Sequence, residues 1–245
     1  MTNSYKSFRS PLPKLIIIHG LNNTIESFSP LNDTFKRLGF ETHLMTLPGH
    51  GSERFEAHHF KDAQEIFNNK MEKIHDAPYV VIAFSYGALL FQLWLDSNPQ
   101  KAPLCQVLLA PALYIKKWHL LNLLINSLPR SFFIFSQTPK ILRRYNHLYI
   151  WEYLLLFECI KRFHTINNKI PVPTLILVDP KDELLDSKIM KKKLPLPHLK
   201  FIIFEKKSLR KELGAHHVMF HPDFFDQEKW QDMIAKIEIF ITSHL

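Results

Sequence analysis

The stretch VVIAFSYGALL, residues 80–90, decides how this chain folds. Val80–Phe84 is an unbroken apolar run. Beyond Ser85 the apolar residues continue at helical spacing as far as Leu95. A strand that is apolar on both faces and runs straight into a buried helix belongs to a parallel sheet covered on both sides. The corner between the two holds a serine. Small residues at −2 and +2, here Ala83 and Gly87, let strand and helix approach, and such a corner lifts the hydroxyl above the sheet edge. Ser85 is therefore a candidate nucleophile, against the plainer reading of a loop serine. The pattern small-x-Ser-x-Gly is weak alone. Its place between a buried strand and a buried helix gives it weight.

Working outward, the same alternation repeats. KLIIIHG reads as a buried strand ending in a turn at Gly20, and SPLNDTFKRLGF as a short helix stopped by Gly39. FETHLMTL reads as a strand before the turn PGHG. DAQEIFNNKMEKIH sets Ala63, Ile66, Phe67, Met71 and Ile74 on one helical face. LCQVLLA, PTLILVDP and LKFIIFE are three more apolar strands. The last stretch repeats Trp230, Met233, Ile234, Ile237, Phe240 and Ile241 as an amphipathic closing helix. Residues 112–170 break the alternation. They are helical in parts, interrupted by Pro129 and Pro139, and read as an insertion between two late strands. In such a sheet, ligands bind beyond the carboxyl ends of the strands.

The chain has 245 residues, enough for one large α/β domain with a full core. No apolar run reaches the roughly 18 residues of a membrane span. Lys6 and Arg9 precede only a four-residue apolar run, shorter than the ~7–15 residues of a signal-peptide core. A cytoplasmic protein is expected. Cys105 and Cys159 form no CxxC pair and sit in apolar runs, so both read as buried free thiols. The fourteen histidines are scattered, and His58-His59 lacks partners at metal-binding spacing, so no metal and no cofactor are expected.

The net charge is +8. Residues 112–170 carry nine Lys and Arg against only Glu152 and Glu158, nearly all of that excess. No nucleic-acid-binding motif accompanies them, and the segment is rich in Leu, Ile, Phe and Trp. No nucleic-acid partner is expected. A basic apolar segment suits contact with anionic lipid or an acyl substrate, against the plain alternative of a solvated face over an apolar underside.

A serine hydroxyl needs a base, and the base needs an orienting acid. LILVDPKDELLD supplies Asp179, Asp182 and Asp186 after a late strand. GAHHVMF supplies His216 and His217 after the last one. The order Ser, Asp, His then holds along the chain.

Five motifs now stand in sequence order: IIIHGLNN, LMTLPGHGS, VIAFSYGA, LILVDPKDELL and GAHHVMFHP. Together they resemble the α/β-hydrolase superfamily, and especially its capped serine lipase/esterase-like members of monoacylglycerol lipase type. The resemblance implies an α/β-hydrolase fold with a mostly parallel central sheet and helices on both faces. It implies a core of residues 1–111 and 171–245 and a helical cap of residues 112–170. It assigns Ser85 as nucleophile and Asp182 as acid, with Asp179 the alternative and Asp186 a helix cap. It assigns His216 as base, because the family places it after a Gly-x pair, with His217 the alternative. The oxyanion hole would use the backbone N–H groups of Leu21 and Tyr86. His19 and His50 would be structural. Ala83, where the family's usual residue is Gly, and Thr46, where many members carry Asp, depart from the pattern without removing a catalytic group. The implied activity is hydrolysis of carboxylic esters of a small hydrophobic, acyl or aromatic, substrate through an acyl-enzyme. A thioesterase or acyltransferase on the same triad, and an inactive ligand-binding relative, are the alternatives.

Overall fold

The structure, a computed structural model, describes residues 12–51, 54, 59–74, 78–166, 170–194, 197–206 and 210–245. Lys6, Arg9, Ser52, His58 and residues 167–169 of the insertion lie outside them.

The apolar runs form the strands β1 (Lys14–Ile18), β2 (Thr42–Met45), β3 (Tyr79–Phe84) and β4 (Cys105–Leu109). A short hairpin, β5 (Phe133–Phe135) and β6 (His147–Tyr149), stands apart from them. The last two strands are β7 (Thr174–Val178) and β8 (Leu199–Ile203). Six strands pair in the order β2-β1-β3-β4-β7-β8, and every pairing is parallel. β3, β4 and β7 are buried along their whole length, and β1 along all but its first residue, which is why these stretches read as continuous apolar runs. β8 reads the same way in sequence, yet it is an edge strand with alternating partial exposure. Among the described residues, no strand pairs with its outer side.

The helices are α1 (Ser29–Arg37), α2 (Phe60–Glu72), α3 (Ser85–Ser97), α4 (Trp118–Asn126), α5 (Ile150–Thr165), α6 (Ser187–Lys193) and α7 (Gln227–Thr242). In α2 the expected face is buried at Ala63, Phe67 and Met71. In α7 it is buried at Met233, Ile234, Ile237, Phe240 and Ile241. α3 is buried from Ser85 to Leu95, so it lies under other elements rather than on the surface.

Two features place the site. The chain runs from β1 outward to β2, then returns past β1 to β3 and continues the other way. The carboxyl ends of β1 and β3 therefore flank the point where the strand order reverses, the usual crevice for a ligand in an open α/β sheet. Second, the chain between β4 and β7 leaves the sheet and builds α4, the β5–β6 hairpin and α5 on that side. This insertion is not all helical. Pro129 and Pro139 stop helix propagation, and the aromatic and β-branched Phe133-Ile134-Phe135 pairs antiparallel with His147–Tyr149. α5 packs on α3, and Leu156, Phe157, Ile160 and Phe163 join the main hydrophobic core. Among the described residues no helix is long and apolar enough to cross a membrane.

Candidate active site

Ser85 is the first residue of α3, directly after the last residue of β3. Its φ is +49°, the left-handed region that costs an L-residue about 1–2 kcal/mol. The sharp turn makes this conformation necessary, and the buried strand and helix on either side hold it. Gly87 is required by close approach. A Cβ there would lie 2.1 Å from the His19 carbonyl oxygen and 2.8 Å from Ile18 Cγ2. Ala83 is fully buried opposite Ile18 and Leu108.

Ser85 Oγ lies 2.9 Å from His217 Nε2. His217 Nδ1 lies 2.8 Å from Asp182 Oδ2. The other oxygen of Asp182 accepts from the N–H groups of Leu184 and Leu185 at 2.8 and 2.9 Å. Burial alone would raise the Asp182 carboxyl, but the His217 charge and hydrogen bond and these two N–H groups outweigh it and hold it below the ordinary carboxylate range. Asp182 is thus an anion that accepts from His217 Nδ1–H, which leaves Nε2 free to accept from the serine.

His216, assigned as base from motif position, is turned elsewhere. Its Nδ1 meets Asp179 Oδ2 at 3.1 Å, and 27% of its side chain is exposed. The reason is the turn that carries both histidines. The N–H groups of His217 and Val218 both close on the Gly214 carbonyl, at 3.1 and 3.3 Å. In a turn that tight, successive side chains point in different directions, so only one of the pair can face Ser85. Of the two histidines, the structure places His217, the alternative, and not His216 within hydrogen-bond distance of Ser85. Asp179, the alternative acid, serves His216 instead, and Asp186 caps α6 through the Ile189 N–H at 2.9 Å.

Leu21, Ser85, Tyr86 and His217 line one cavity of about 230 Å³. Tyr86 is in the first turn of α3, where an N–H has no acceptor within the helix. Its phenol is turned away, 3.8 Å from Cys159 Sγ in α5. The rest of the wall is mostly apolar. The insertion supplies Leu121, Ile125, Ile134, Leu148, Leu156 and Phe157.

The loop bearing Leu21 is held by two buried histidines. His19 Nδ1–H donates to the Gly20 carbonyl at 2.8 Å, and its Nε2 accepts from the Leu47 N–H at 3.0 Å. His50 Nδ1–H donates to the Pro48 carbonyl at 2.9 Å, and its Nε2 accepts from the Asn22 N–H at 2.7 Å. Burial, then the neighbouring His50, lowers His19 to about 3. Burial, with smaller contributions from Lys70, Arg54 and Arg144, lowers His50 to about 4.

Three residues here escape sequence reasoning. Asn22, at φ +58°, ties the insertion to this loop. Its Nδ2 donates to Ser136 Oγ at 2.7 Å and to the Tyr145 carbonyl at 2.8 Å, while Oδ1 accepts from the Tyr145 N–H at 2.8 Å. The first asparagine of HGLNN was a possible signal for a polar anchor, but not for what it anchors. Glu183 and Lys206, described below, carried no signal. Among the described residues no group of three His, Cys, Asp or Glu side chains is arranged to hold a metal.

The family profile described as Serine aminopeptidase, S33 (Hydrolase_4) matches residues 9–150, more than half of the chain. The chain belongs to this family of α/β hydrolases. The hydrolase shares its fold with a monoacylglycerol lipase from Paleococcus ferrophilus, at TM-score 0.72 and 18% identity over 95% of each chain. A soluble variant of the monoglyceride lipase from Saccharomyces cerevisiae, in complex with a substrate analogue, gives TM-score 0.72 at 12% identity, covering 97% of this hydrolase and 88% of that chain. The thioesterase domain from the curacin biosynthetic pathway gives 0.58 at 14% identity, covering 95% and 92%. No curated protein matches the sequence significantly.

Proposed function

We propose that this hydrolase is a serine esterase that cleaves carboxylic esters of a slender apolar acyl chain. Ser85 is the nucleophile, His217 the general base and Asp182 its orienter. The observation that carries the reading is the unbroken chain from Ser85 Oγ through His217 to Asp182, at 2.9 and 2.8 Å, in the wall of an apolar cavity. His217 Nε2 takes the Ser85 proton as Oγ attacks the ester carbonyl. The N–H groups of Leu21 and Tyr86 receive the developing oxyanion. His217 then gives its proton to the departing alkoxide, and water releases the acid by the same steps in reverse. Asp182 holds the imidazole in the required tautomer and stabilises its charged form.

The cavity supports this substrate class. Its 230 Å³ lies below the ~300–1,000 Å³ of common small-molecule sites, and its mostly apolar wall favours a small acyl chain. Residues 112–170 act as a cap, since their side chains supply much of the wall. Leu120, Leu123, Leu124, Phe132, Phe133 and Phe135 on this cap are exposed, beside exposed Lys117, Arg130 and Lys140. An apolar patch bordered by cations supports peripheral contact with anionic lipid. The buried free thiols Cys105 and Cys159 suit the reducing cytoplasm. A second reading, thioester cleavage on the same triad, draws support from the likeness to the curacin thioesterase domain.

A fluorophosphonate probe tests the nucleophile. Wild-type protein should label and Ser85→Ala should not; a folded wild-type chain that stays unlabelled overturns the proposal. p-Nitrophenyl esters of rising chain length test the cavity, with kcat/KM expected to rise beyond acetate. Strict preference for acetate contradicts the acyl-chain reading. Matched acyl thioesters in the same panel decide the second reading.

A further inference from the structure

Three carboxylates, Asp179, Asp182 and Glu183, leave the end of β7 on one loop and meet the turn that carries His216 and His217. Asp179 and Asp182 take the two imidazoles. Glu183 takes the backbone: its two oxygens accept from the N–H groups of His216 and His217 at 3.2 and 3.0 Å. Lys206, just beyond β8, closes the turn from the other side. It is only 1% exposed, and its ammonium donates to the Ala215 carbonyl at 2.6 Å and to the Val218 carbonyl. Those two carbonyls bracket the histidine pair. The rings of Phe225 and Phe224 stand 4.8 and 5.8 Å from the ammonium.

A turn that needed only its shape held could be held by a neutral donor. Burying an ammonium costs several kcal/mol, and here its hydrogen-bond partners are main-chain carbonyls rather than a carboxylate. The charge has a different use. Three anions around one turn favour the protonated imidazole, and a protonated imidazole cannot act as a base. A buried cation, Lys206, opposes them. We propose that Lys206 and Glu183 are positioning residues for His217: together they fix the turn, and the Lys206 charge opposes the three carboxylates, which favour the protonated imidazole. The inference rests on the triad reading above.

Burial lowers Lys206 to about 7, against the pull of Asp179, Asp182 and Glu183, so its offset is strongest below pH 7 and fades above it. Among the described residues, the charged groups that act on it are these three carboxylates, and the Arg210 guanidinium stands 5.3 Å from the same Phe224 ring. Glu205, its neighbour in sequence, is exposed and paired with Lys181 at 3.1 Å. Phe224 and Phe225 bring no charge.

The test uses the full chain and two variants, Lys206→Met and Glu183→Gln, with the protonation midpoint of His217 read by NMR and kcat and KM read on an ester. Removing the cation should raise the midpoint by about one pH unit, and removing the anion should lower it by about half a unit. Lys206→Met should lose up to about fivefold in kcat at pH 7, with KM within twofold of wild type. A purely structural role moves neither midpoint, or moves both in the same direction. A folded Lys206→Met with the wild-type midpoint overturns the proposal. If that variant does not fold, Glu183→Gln decides alone, and an unmoved midpoint there overturns it. The midpoints are readable without turnover. A wild-type chain that fails to label with fluorophosphonate therefore overturns the esterase reading separately.

Discussion

Acid should weaken this fold through the two histidines that hold the loop bearing Leu21. In the folded chain both imidazoles are neutral. Each accepts a backbone N–H on Nε2 and donates from Nδ1, so a second proton has no acceptor. Unfolded histidine titrates near 6.5, while His19 is lowered to about 3 and His50 to about 4. Between those limits the unfolded chain binds protons that the folded chain refuses, so stability falls with falling pH. The contribution is fully present above about pH 6.5. It is lost as the pH drops toward the folded values. At pH 5 each ring is about 1.5 pH units below the unfolded midpoint, worth about 2 kcal/mol at about 1.4 kcal/mol per unit. The pair gives about 4 kcal/mol, a large part of a typical ~5–15 kcal/mol. His43 and His221, also lowered mainly by burial, add smaller effects of the same sign. Asp182 is held below its ordinary carboxylate value, so it stays ionised across the pH 5.0–7.5 of the assay. The assay is urea unfolding at pH 7.5 and 5.0, on wild type and on His50→Gln, whose side-chain oxygen can still accept from Asn22 N–H. The variant should lose about half of the pH dependence. A wild-type change below about 1 kcal/mol, or an unchanged slope in His50→Gln, refutes the reasoning.

Two further outcomes follow from the site and its cap. His217→Ala should cut fluorophosphonate labelling by at least about 10³-fold, as loss of a triad base does. His216→Ala, which touches Asp179 and not Ser85, should stay within about tenfold of wild type; the reverse order would restore His216 as base. Sedimentation with anionic vesicles should carry the protein down at low salt and release it at high salt. Neutral vesicles should bind it far less, and Phe135→Ser with Leu123→Ser should weaken binding to both kinds, because the apolar patch acts on either surface. Equal binding to both vesicle types removes the electrostatic half of the lipid reading.

What could be read from the sequence divides along physical lines. Strands buried on both faces announce themselves, because burial forces a continuous apolar run. β3, β4 and β7, and β1 after its first residue, were legible for that reason. Ser85 was legible because the corner it occupies imposes small neighbours, and the 2.1 Å approach of a Gly87 Cβ to the His19 carbonyl is the constraint that the pattern records. The insertion was legible as an interruption but not as a hairpin. Its strands are three residues each, too short for alternation to show.

The choice between His216 and His217 belongs to another class. The two are identical in chemistry and adjacent in sequence, so composition and spacing carry no preference between them. What separates them is the direction of a side chain in a turn closed on Gly214. Glu183 accepts from both histidine N–H groups, and Lys206 draws in the carbonyls on either side. A lysine after an edge strand looks like any solvated lysine until the fold buries it. Motif position could bring the reading to within one residue of the histidine that faces Ser85. The last residue turns on contacts of Glu183 and the buried Lys206 that sequence periodicity does not register, and under the proposed reading those groups are where the chemistry of this hydrolase can be tuned without touching Ser85, His217 or Asp182.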